Sequence, residues 1–370
     1  MALRPSGDFD TSYKQDMSVF RRPWQMVAII GFLAFMVILP YLPFVPTTFI
    51  DALAVIGIFI VAAQGLGILV GYAGQISLGQ AAFMMVGGYI SGFLTTAPCA
   101  GELGKGCGLG LPFIIALPLA ALTAGVVGIV FGLPSLRVKG FYLAMATLAA
   151  QFIIPWAFRN SDAFGMPFFG GADGLLNVPP PDLFKLVSFN STTGKYLVVL
   201  VVVVITTYAM KNLARTRVGR AFVAIRDNDL AAELLGVNVF FYKLQAFFLS
   251  ALYAGIAGSL WAHKLGVMNP EALDLVKSVE FLAMAIVGGL GSALGPIFGA
   301  FFFQGFNTFI KQVITPQMQN LFPDIGGRIV GLNPLVFGLA LALFLIFEPH
   351  GLAHRWEIIK ASWRLRPFSH

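Results

Sequence analysis

The sequence predicts an all-α, polytopic membrane protein with about ten transmembrane helices, some of them broken by glycines. The first reason is composition: 58% of the 370 residues are hydrophobic and 11% are charged, whereas soluble domains carry about 25% charged residues. A soluble fold has too little interior for so much apolar surface. The apolar residues also fall into long runs, and the 41 glycines and 21 prolines fit a class in which both are frequent within helices.

Ten apolar segments come close to the roughly 20 residues that a membrane-spanning helix needs. They cover residues 24–44, 49–70, 80–96, 111–133, 140–158, 195–211, 244–263, 279–290, 293–312 and 334–348. The first is longer than the apolar region of a secretory signal, and no small-x-small cleavage site follows it, so we expect it to remain as a helix. The eighth is short and ends in a glycine-rich turn, which we expect to be buried in protein.

The distribution of basic residues predicts the orientation and the division of the chain. With ten spans both termini lie on one side, and Lys and Arg favour the N-terminal side by about two to one. We therefore expect a cytoplasmic tail (1–23), a transmembrane domain (24–348) with a cytoplasmic segment at 211–243, and a second cytoplasmic tail (349–370). The net charge of +7 does not indicate nucleic-acid binding, because the basic residues are dispersed near the ends of spans.

A glycine-rich segment separates the second and third spans and is here named the first glycine break, residues 71–80. Glycines and polar side chains at membrane depth are costly unless they face protein or water. The residues that we expect to line a solute path are Gly71, Gly74, Gln75, Ser77, Gly79 and Gln80. A broken helix could hold a polar solute, and its second half could favour a carboxylate. The alternative is a tight packing turn. A second cluster at 288–296, named the second glycine break, hints at an inverted repeat.

A short charged stretch between the sixth and seventh spans reads Asp-Asn-Asp-Leu-Ala-Ala-Glu-Leu-Leu-Gly at 227–236. We expect residues 226–235 to form one short helix parallel to the membrane. Asp227 and Asp229 suit its N-terminus, and Gly236 suits its end because glycine readily adopts the left-handed conformation. The two alanines leave a small surface that can enter a groove on a partner. The alternative is an ordinary solvated helix.

The regions predicted to lie outside the membrane offer two further sites. The longest external loop, 159–194, contains Gly171 and Asp173, which could contact a ligand or a partner or could form a plain turn. Cys99 and Cys107 are the only cysteines and fall in one short external loop, so we expect a disulfide between them. The alternative is two unpaired thiols.

Motifs of several protein classes are absent from the sequence. It has no phosphate-binding Gly-x-x-x-x-Gly-Lys-Ser/Thr loop, so we expect no ATP site in this chain. The four histidines form neither a His-Glu-x-x-His motif nor a cluster with cysteines, which predicts no metal and no cofactor. No nucleophile–base pair points to an enzyme. Acidic residues lie near the ends of the predicted spans, which disfavours a proton- or sodium-driven carrier.

Five motifs are most informative as a set. They are Gly-Tyr-Ala-Gly-Gln-Ile-Ser-Leu-Gly-Gln at 71–80, Leu-Arg-Val-Lys-Gly-Phe-Tyr-Leu-Ala-Met-Ala-Thr-Leu-Ala at 136–149, Gly-Gly-Ala-Asp-Gly at 170–174, the block at 215–237, and Ile-Val-Gly-Gly-Leu-Gly-Ser-Ala-Leu-Gly-Pro-Ile-Phe-Gly-Ala at 286–300. Together they resemble the branched-chain amino acid type permeases of ABC importers. The resemblance runs from about residue 49 to residue 350, and it is strongest to the subunit with the longer external loop.

The resemblance implies a set of partners. These are a paralogous permease subunit, two cytoplasmic ABC ATPases and a periplasmic solute-binding protein, in the inner membrane of a bacterium and in contact with its lipid. It also implies that Ala231, Ala232 and Gly236 occupy the family's ATPase-coupling motif. We expect Arg226, Asp227 and Asn228 beside them to contribute to the contact with the ATPase. Leu230 departs from this motif, which has Glu at that position.

The expected function is therefore that of a permease that passes a branched-chain or other neutral amino acid, driven by ATP hydrolysis in partner subunits. One alternative is a permease of the same type for urea or a short amide. Another, from a different class, is a channel or secondary carrier without a motor. The Ala-Ala-x-x-x-Gly helix favours an importer, because a channel has no use for it.

Overall fold

A computed structural model of the chain describes residues 23–98, 107–135, 141–175, 177–183, 187–309, 338–339, 342–344, 346–348 and 351–365. These residues are mainly helical. The β-structure among them is limited to an antiparallel pair of two-residue strands, β1 (Asp182–Leu183) and β2 (Val187–Ser188), and one isolated bridge. The chain is thus an all-α membrane protein, as its composition predicts.

Twelve α-helices have bounds within the described residues. They are α1 (Pro23–Ile38), α2 (Thr47–Leu66), α3 (Gln80–Thr95), α4 (Phe113–Ser135), α5 (Phe141–Arg159), α6 (Thr192–Leu213), α7 (Arg217–Asp227), α8 (Asp229–Leu234), α9 (Val239–Leu265), α10 (Leu275–Gly288), α11 (Gly295–Phe309) and α12 (Leu352–Leu365). Each of the first nine predicted spans coincides with a helix to within a few residues. The tenth lies largely outside the described residues.

Four helical stretches are long and apolar enough to cross a membrane by themselves. They are Thr47–Tyr72, Phe113–Pro134, Thr192–Leu213 and Val239–Leu265. The other apolar helices within the described residues are shorter or less apolar, so the count of ten spans stays a prediction.

Close helix contacts in the core depend on glycines. α9 packs against α3 and α4. A Cβ on Gly258 of α9 would lie 1.8 Å from the carbonyl oxygen of Met84, and a Cβ on Gly87 of α3 would lie 2.3 Å from that of Gly255. Small residues drive helix association in lipid, because they allow close backbone contact where apolar burial supplies little force.

The first glycine break is an interruption between two buried helices. α2 continues through one π-helical turn, Gly67–Tyr72, and α3 then starts at Gln80 after a non-helical stretch. π-helical turns are rare in proteins, and those that occur are often found at functional sites. The second glycine break separates α10 from α11 in a similar way, with Gly289 and Gly291 both at positive φ.

Two connections lie at opposite ends of α9. Residues 160–191, the long loop, follow α5 and contact the residues just after α9 through the Leu175–Met268 bridge. Residues 214–238, the α7–α8 segment, precede α9 and contain the two short helices of its name. The functional candidates in the sequence therefore fall in three places, namely these two connections and the pair of glycine breaks.

Candidate functional site

The start of α3 is capped by side chains from other helices. Thr147 Oγ1 of α5 accepts the backbone N–H of Leu78 at 3.0 Å. Ser278 Oγ of α10 accepts that of Ala81 at 2.9 Å, and Gln151 Oε1 of α5 accepts that of Ala82 at 2.9 Å. Ser278 also donates to Gln151 at 2.8 Å. The first N–H groups of a helix have no partners inside that helix. Here side chains of α5 and α10 supply acceptors for several of these N–H groups.

Three of the predicted pathway residues belong to the same packed junction. Gln80 is fully buried and donates to the carbonyl of Ala62 at 2.8 Å, while its Oε1 accepts from Ser250 Oγ at 3.1 Å. Ser77 Oγ accepts the N–H of Gly79 at 3.3 Å. A Cβ on Gly79 would lie 2.9 Å from the carbonyl of Thr147. These contacts support the alternative interpretation, in which this part of the break is a tight packing turn.

Gln75 differs from its neighbours in the break. Its side chain is 3% exposed, and neither Oε1 nor Nε2 has a hydrogen-bond partner among the described residues. Leaving a buried polar group without a partner costs about 1–3 kcal/mol. A glutamine amide offers both a donor and an acceptor, so Gln75 is a candidate contact for a polar solute.

The other end of the break meets the α7–α8 segment. Arg226 Nη1 donates to the carbonyl oxygen of Gly71 at 2.8 Å. Gly74 has φ +68°, and a Cβ there would lie 2.8 Å from Cγ of Arg226. A Cβ on Gly71 would lie 2.6 Å from the backbone nitrogen of Gly291 in the second glycine break. The structure therefore brings together residues that the sequence assigns to separate sites.

The predicted single helix over 226–235 is wrong in its boundaries. α7 ends at Asp227 and α8 starts at Asp229, because Asn228 adopts an extended conformation and caps α8. Its Oδ1 accepts the N–H of Ala231 at 3.1 Å. Asp227 thus lies at the end of one helix rather than at the start of the next, and it pairs with Arg226 at 3.1 Å.

Gly236 ends α8 in the left-handed conformation, as predicted, with φ +83°. Its N–H donates to the carbonyl of Glu233 at 2.9 Å, and the N–H of Val237 donates to that of Ala232 at 3.0 Å. This double closure is the Schellman motif of helix C-termini. A Cβ on Gly236 would meet nothing within 4 Å, so this end faces open space.

α8 exposes large apolar side chains. Leu230, Leu234 and Leu235 are 64%, 89% and 83% exposed, and Ala231 is exposed beside them. Ala232 is buried, which gives the two alanines different roles. On its inner side α8 is connected to α9 by an ion pair of 3.5 Å between Asp229 and Lys243.

The long loop is built from tight glycine turns. Gly171 has φ +58°, and a Cβ there would lie 2.7 Å from Oδ2 of Asp162, whereas Asp173 is exposed. Leu175 exchanges two backbone hydrogen bonds of 2.8 Å with Met268. Its side chain lies against Gly92 of α3, where a Cβ would come within 2.2 Å.

Further contacts lie near the C-terminal end of α9, where the long loop packs. His263 Nδ1 lies 2.7 Å from the carbonyl of Pro179, and Ser91 Oγ lies 3.0 Å from its Nε2. Since a carbonyl only accepts, Nδ1 carries the proton. Cys107 is disulfide-bonded, and Cys99, its predicted partner, lies outside the described residues.

Sequence reasoning missed the residues that cap α3. Thr147 and Gln151 lie four positions apart in an apolar helix and therefore share one face. Polar side chains at this spacing inside a predicted span are a signal for an inward-facing contact. Ser278 gives no such signal, because it stands at the edge of its predicted span.

Comparison with known proteins places the chain among membrane permeases. The family described as "Branched-chain amino acid transport system / permease component" matches residues 48–344. The "High-affinity branched-chain amino acid transport system permease protein LivM" of Salmonella typhimurium is 29% identical over 326 residues, covering 82% of this chain and 69% of the relative. LivM of Escherichia coli gives the same figures. A probable LivM of Methanocaldococcus jannaschii is 24% identical, with 68% and 71% covered. No solved structure matches the chain.

Proposed function

The chain belongs to the family of permease components of branched-chain amino acid transport systems, and on that premise we propose that it is one permease subunit of an ABC importer. It passes a branched-chain or other neutral amino acid across the bacterial inner membrane. ATP hydrolysis in two cytoplasmic partner subunits drives the transport, a periplasmic binding protein delivers the solute, and a paralogous permease completes the pathway. The chain itself catalyses no reaction.

The observation that carries this proposal is the exposed apolar surface of α8. Leu230, Leu234 and Leu235 project from a short helix whose neighbours are charged. Exposed apolar patches rimmed by polar residues mark interaction sites. A surface of this kind between two membrane helices fits a groove on a soluble partner, and Ala231 leaves the low profile that such a groove requires.

The charges support the proposed orientation. Arg215, Arg217 and Arg220 lie at the same end of the molecule as α8. Basic residues concentrate in cytoplasmic loops, so α8 faces the cytoplasm, where ATPases are found. The long loop at the other end of α9 then faces the periplasm and the binding protein.

Gln75 supports the proposed substrate class. A neutral amide donates to a carboxylate and accepts from an ammonium group, which suits a zwitterion of zero net charge. Ile76 beside it is 48% exposed and offers an apolar contact for a side chain. We propose that Gln75 and Ile76 face the pathway, whereas Ser77, Gly79 and Gln80 stabilise the helix start behind them.

Substitution of Gly236 tests the coupling surface. We expect Gly236→Asp to abolish substrate-stimulated ATP hydrolysis in a reconstituted complex, while the permease inserts normally. A side chain in the left-handed conformation costs roughly 1 kcal/mol, and the added carboxylate faces the open side of α8.

Gly165→Asp is the matched control for this experiment. Gly165 has φ +71° and nothing within 4 Å of its Cβ, but it lies in the long loop. The control should retain coupling. Normal coupling in Gly236→Asp, or an equal loss in both variants, would contradict the proposal that α8 contacts the motor.

A substrate panel separates the amino acid from the alternative, urea. Uptake of leucine, alanine and urea is measured in proteoliposomes that contain the complex and its binding protein. We expect leucine uptake, with a KM raised about ten-fold in Gln75→Leu, since a lost hydrogen bond to a charged group is worth about 1.5–3 kcal/mol. Uptake of urea alone would identify the amide permease instead.

A further inference from the structure

We propose that Arg226 is a positioning residue that connects the α7–α8 segment directly to the first glycine break and makes this break the hinge of transport. The inference rests on the proposed function, because it describes how the motion of α8 reaches the solute path. The two sides of the break are held by different parts of the molecule, and Arg226 holds one of them.

Arg226 contacts the end of the helical stretch that leads into the first glycine break. The helical stretch Thr47–Tyr72 ends within the break, and the last carbonyl groups of a helix lack intrahelical partners as a rule. Arg226 Nη1 donates to one of them, the carbonyl of Gly71, at 2.8 Å. A cation at a helix C-terminus is also favoured by the helix dipole. Arg226 therefore caps α2 from a different element.

The Arg226 side chain lies close to a glycine of each break. Gly74 and Gly291 both have positive φ, and a Cβ on either would come within 2.8 Å or 3.1 Å of the Arg226 side chain. The absence of a side chain at these two glycines, one in each break, leaves room for the same side chain, that of Arg226. This arrangement explains why glycine stands at two positions that are far apart in the sequence.

The orientation of the Arg226 guanidinium group is set by its neighbours on α7. Phe222 and Ile225 are buried, so α7 packs onto the membrane helices. Asp227 accepts hydrogen bonds from Nε and Nη2 of Arg226 at 3.2 Å and 3.1 Å, which fixes the guanidinium plane and leaves Nη1 for Gly71. Nη1 of Arg226 is thus directed at the carbonyl of Gly71, although 38% of the side chain is exposed.

The mechanical consequence follows from the two attachments. The α2 side of the break is bonded to α7, and the α3 side is bonded to Thr147, Gln151 and Ser278. A displacement of α7 therefore pulls on Gly71, whereas α3 stays with α5 and α10. The non-helical residues between the two attachments are the part that must bend.

Cysteine accessibility tests this inference without ATP and without substrate. Ser77 lies in the break and is fully buried, so Ser77→Cys in the full-length chain should react slowly with a membrane-impermeant maleimide in inside-out vesicles. The chain without this substitution gives the background. We expect Arg226→Ala to raise the labelling rate about ten-fold, because a charge-assisted hydrogen bond is lost. Arg226→Lys should give an intermediate rate.

Arg220→Ala is the control on the same helix, because Arg220 is exposed like Arg226 but forms no hydrogen bond to the first glycine break among the described residues. It should leave the rate unchanged. An unchanged rate in Arg226→Ala, or an equal increase in Arg220→Ala, would overturn the inference.

A second pair of variants keeps Arg226 in the sequence and substitutes glycines instead. Gly74→Ala should displace Arg226 and raise the Ser77→Cys rate by several-fold. Gly236→Ala carries the same positive-φ strain with no neighbour within 4 Å, so its rate should equal that of the parent. Equal rates for the two alanine variants would also overturn the inference.

The labelling rate of Ser77→Cys is measured without the ATPase, so the hinge and the proposed function can fail separately. If no ATPase associates with the chain but Arg226→Ala still opens the break, the proposed function fails and the hinge remains. If the complex hydrolyses ATP with normal coupling and the break stays closed in Arg226→Ala, the hinge fails and the proposed function remains.

Discussion

The long loop and the α7–α8 segment connect membrane helices at opposite ends of α9, yet they are built in opposite ways. The long loop is bonded to the spans: Leu175 pairs with Met268, Val178 N–H donates to Gly266, and Asp182 accepts the first N–H of α4 from Phe113 at 2.8 Å. The α7–α8 segment satisfies its helix ends mostly from within, through Thr216, Asn228 and the turn at Gly236.

Their apolar side chains differ as well. Leu175 in the long loop is fully buried against α3, whereas Leu234 in α8 is 89% exposed. The long loop is therefore packed against its own chain, whereas the leucines of α8 are exposed, which fits the proposed contact with an ATPase. Substitutions in the first should act on the stability of the permease, and those in the second on association. The following predictions test this difference.

The largest effect is expected for Gly174→Ala in the long loop. Gly174 has φ +76° and ψ −175°, a region that is almost exclusive to glycine. A Cβ there would also lie 2.3 Å from the carbonyl oxygen of Met268. Strain and overpacking together should cost roughly 3 kcal/mol or more. Thermal unfolding in detergent measures this, and Gly165→Ala, which has free space, should cost about 1 kcal/mol.

Removal of the disulfide should have the next largest effect. Cys107→Ser is expected to lower the free energy of unfolding by about 2–3 kcal/mol, as expected for a short closed loop. The same protein without substitution should show no free thiol on alkylation without reductant. Two free thiols in properly inserted protein would refute the predicted bridge between Cys99 and Cys107.

A substitution on α8 should act on association and leave the fold unchanged. Leu234→Glu is expected to weaken binding of the ATPase by about 2 kcal/mol, or roughly 30-fold. The melting temperature of the permease alone should stay unchanged, because exposed residues away from special features contribute within about 0.5 kcal/mol. Titration of the ATPase onto immobilised permease measures the affinity. Met166→Glu in the long loop should leave it unchanged; equal weakening would remove the distinction between the two connections.

The smallest effect is expected at the cap of α8. Asn228→Ala should cost about 1 kcal/mol of local helix stability, whereas Asn228→Ser should retain most of it. Hydrogen exchange at Ala231 measures this effect, because the N–H of Ala231 donates to Asn228. Unchanged protection in the alanine variant would show that α8 does not depend on its cap.

The positions of the helices that match the first nine predicted spans could be predicted from the sequence, because the length and apolarity of a helix are local properties. The turn at Gly236 was predictable for the same reason. The boundary at Asn228 was missed because three consecutive residues, Asp227, Asn228 and Asp229, all favour a helix N-terminus. In the structure Asn228 caps α8, while Asp227 pairs with Arg226 at the end of α7.

The junction of Arg226 with the glycine breaks could not be predicted from the sequence. Gly71 and Arg226 are 155 positions apart, and their contact depends on how the helices pack. In lipid the outward face of a helix is as apolar as its inward face, so the apolar pattern does not show which sides meet. Glycine clusters indicate close approach, but they do not name the partner.

The capping of α3 also sets the order in which the chain matures in the cell. Ala81 donates to Ser278, which is 197 positions further along the chain. At about 5–20 residues per second, the ribosome needs roughly 10–40 seconds to synthesise that interval. Throughout this time the N–H of Ala81 needs another acceptor, such as water, the insertion machinery or another part of the chain, because lipid cannot satisfy it. The first glycine break is thus among the first parts of the protein to be synthesised and among the last to be finished.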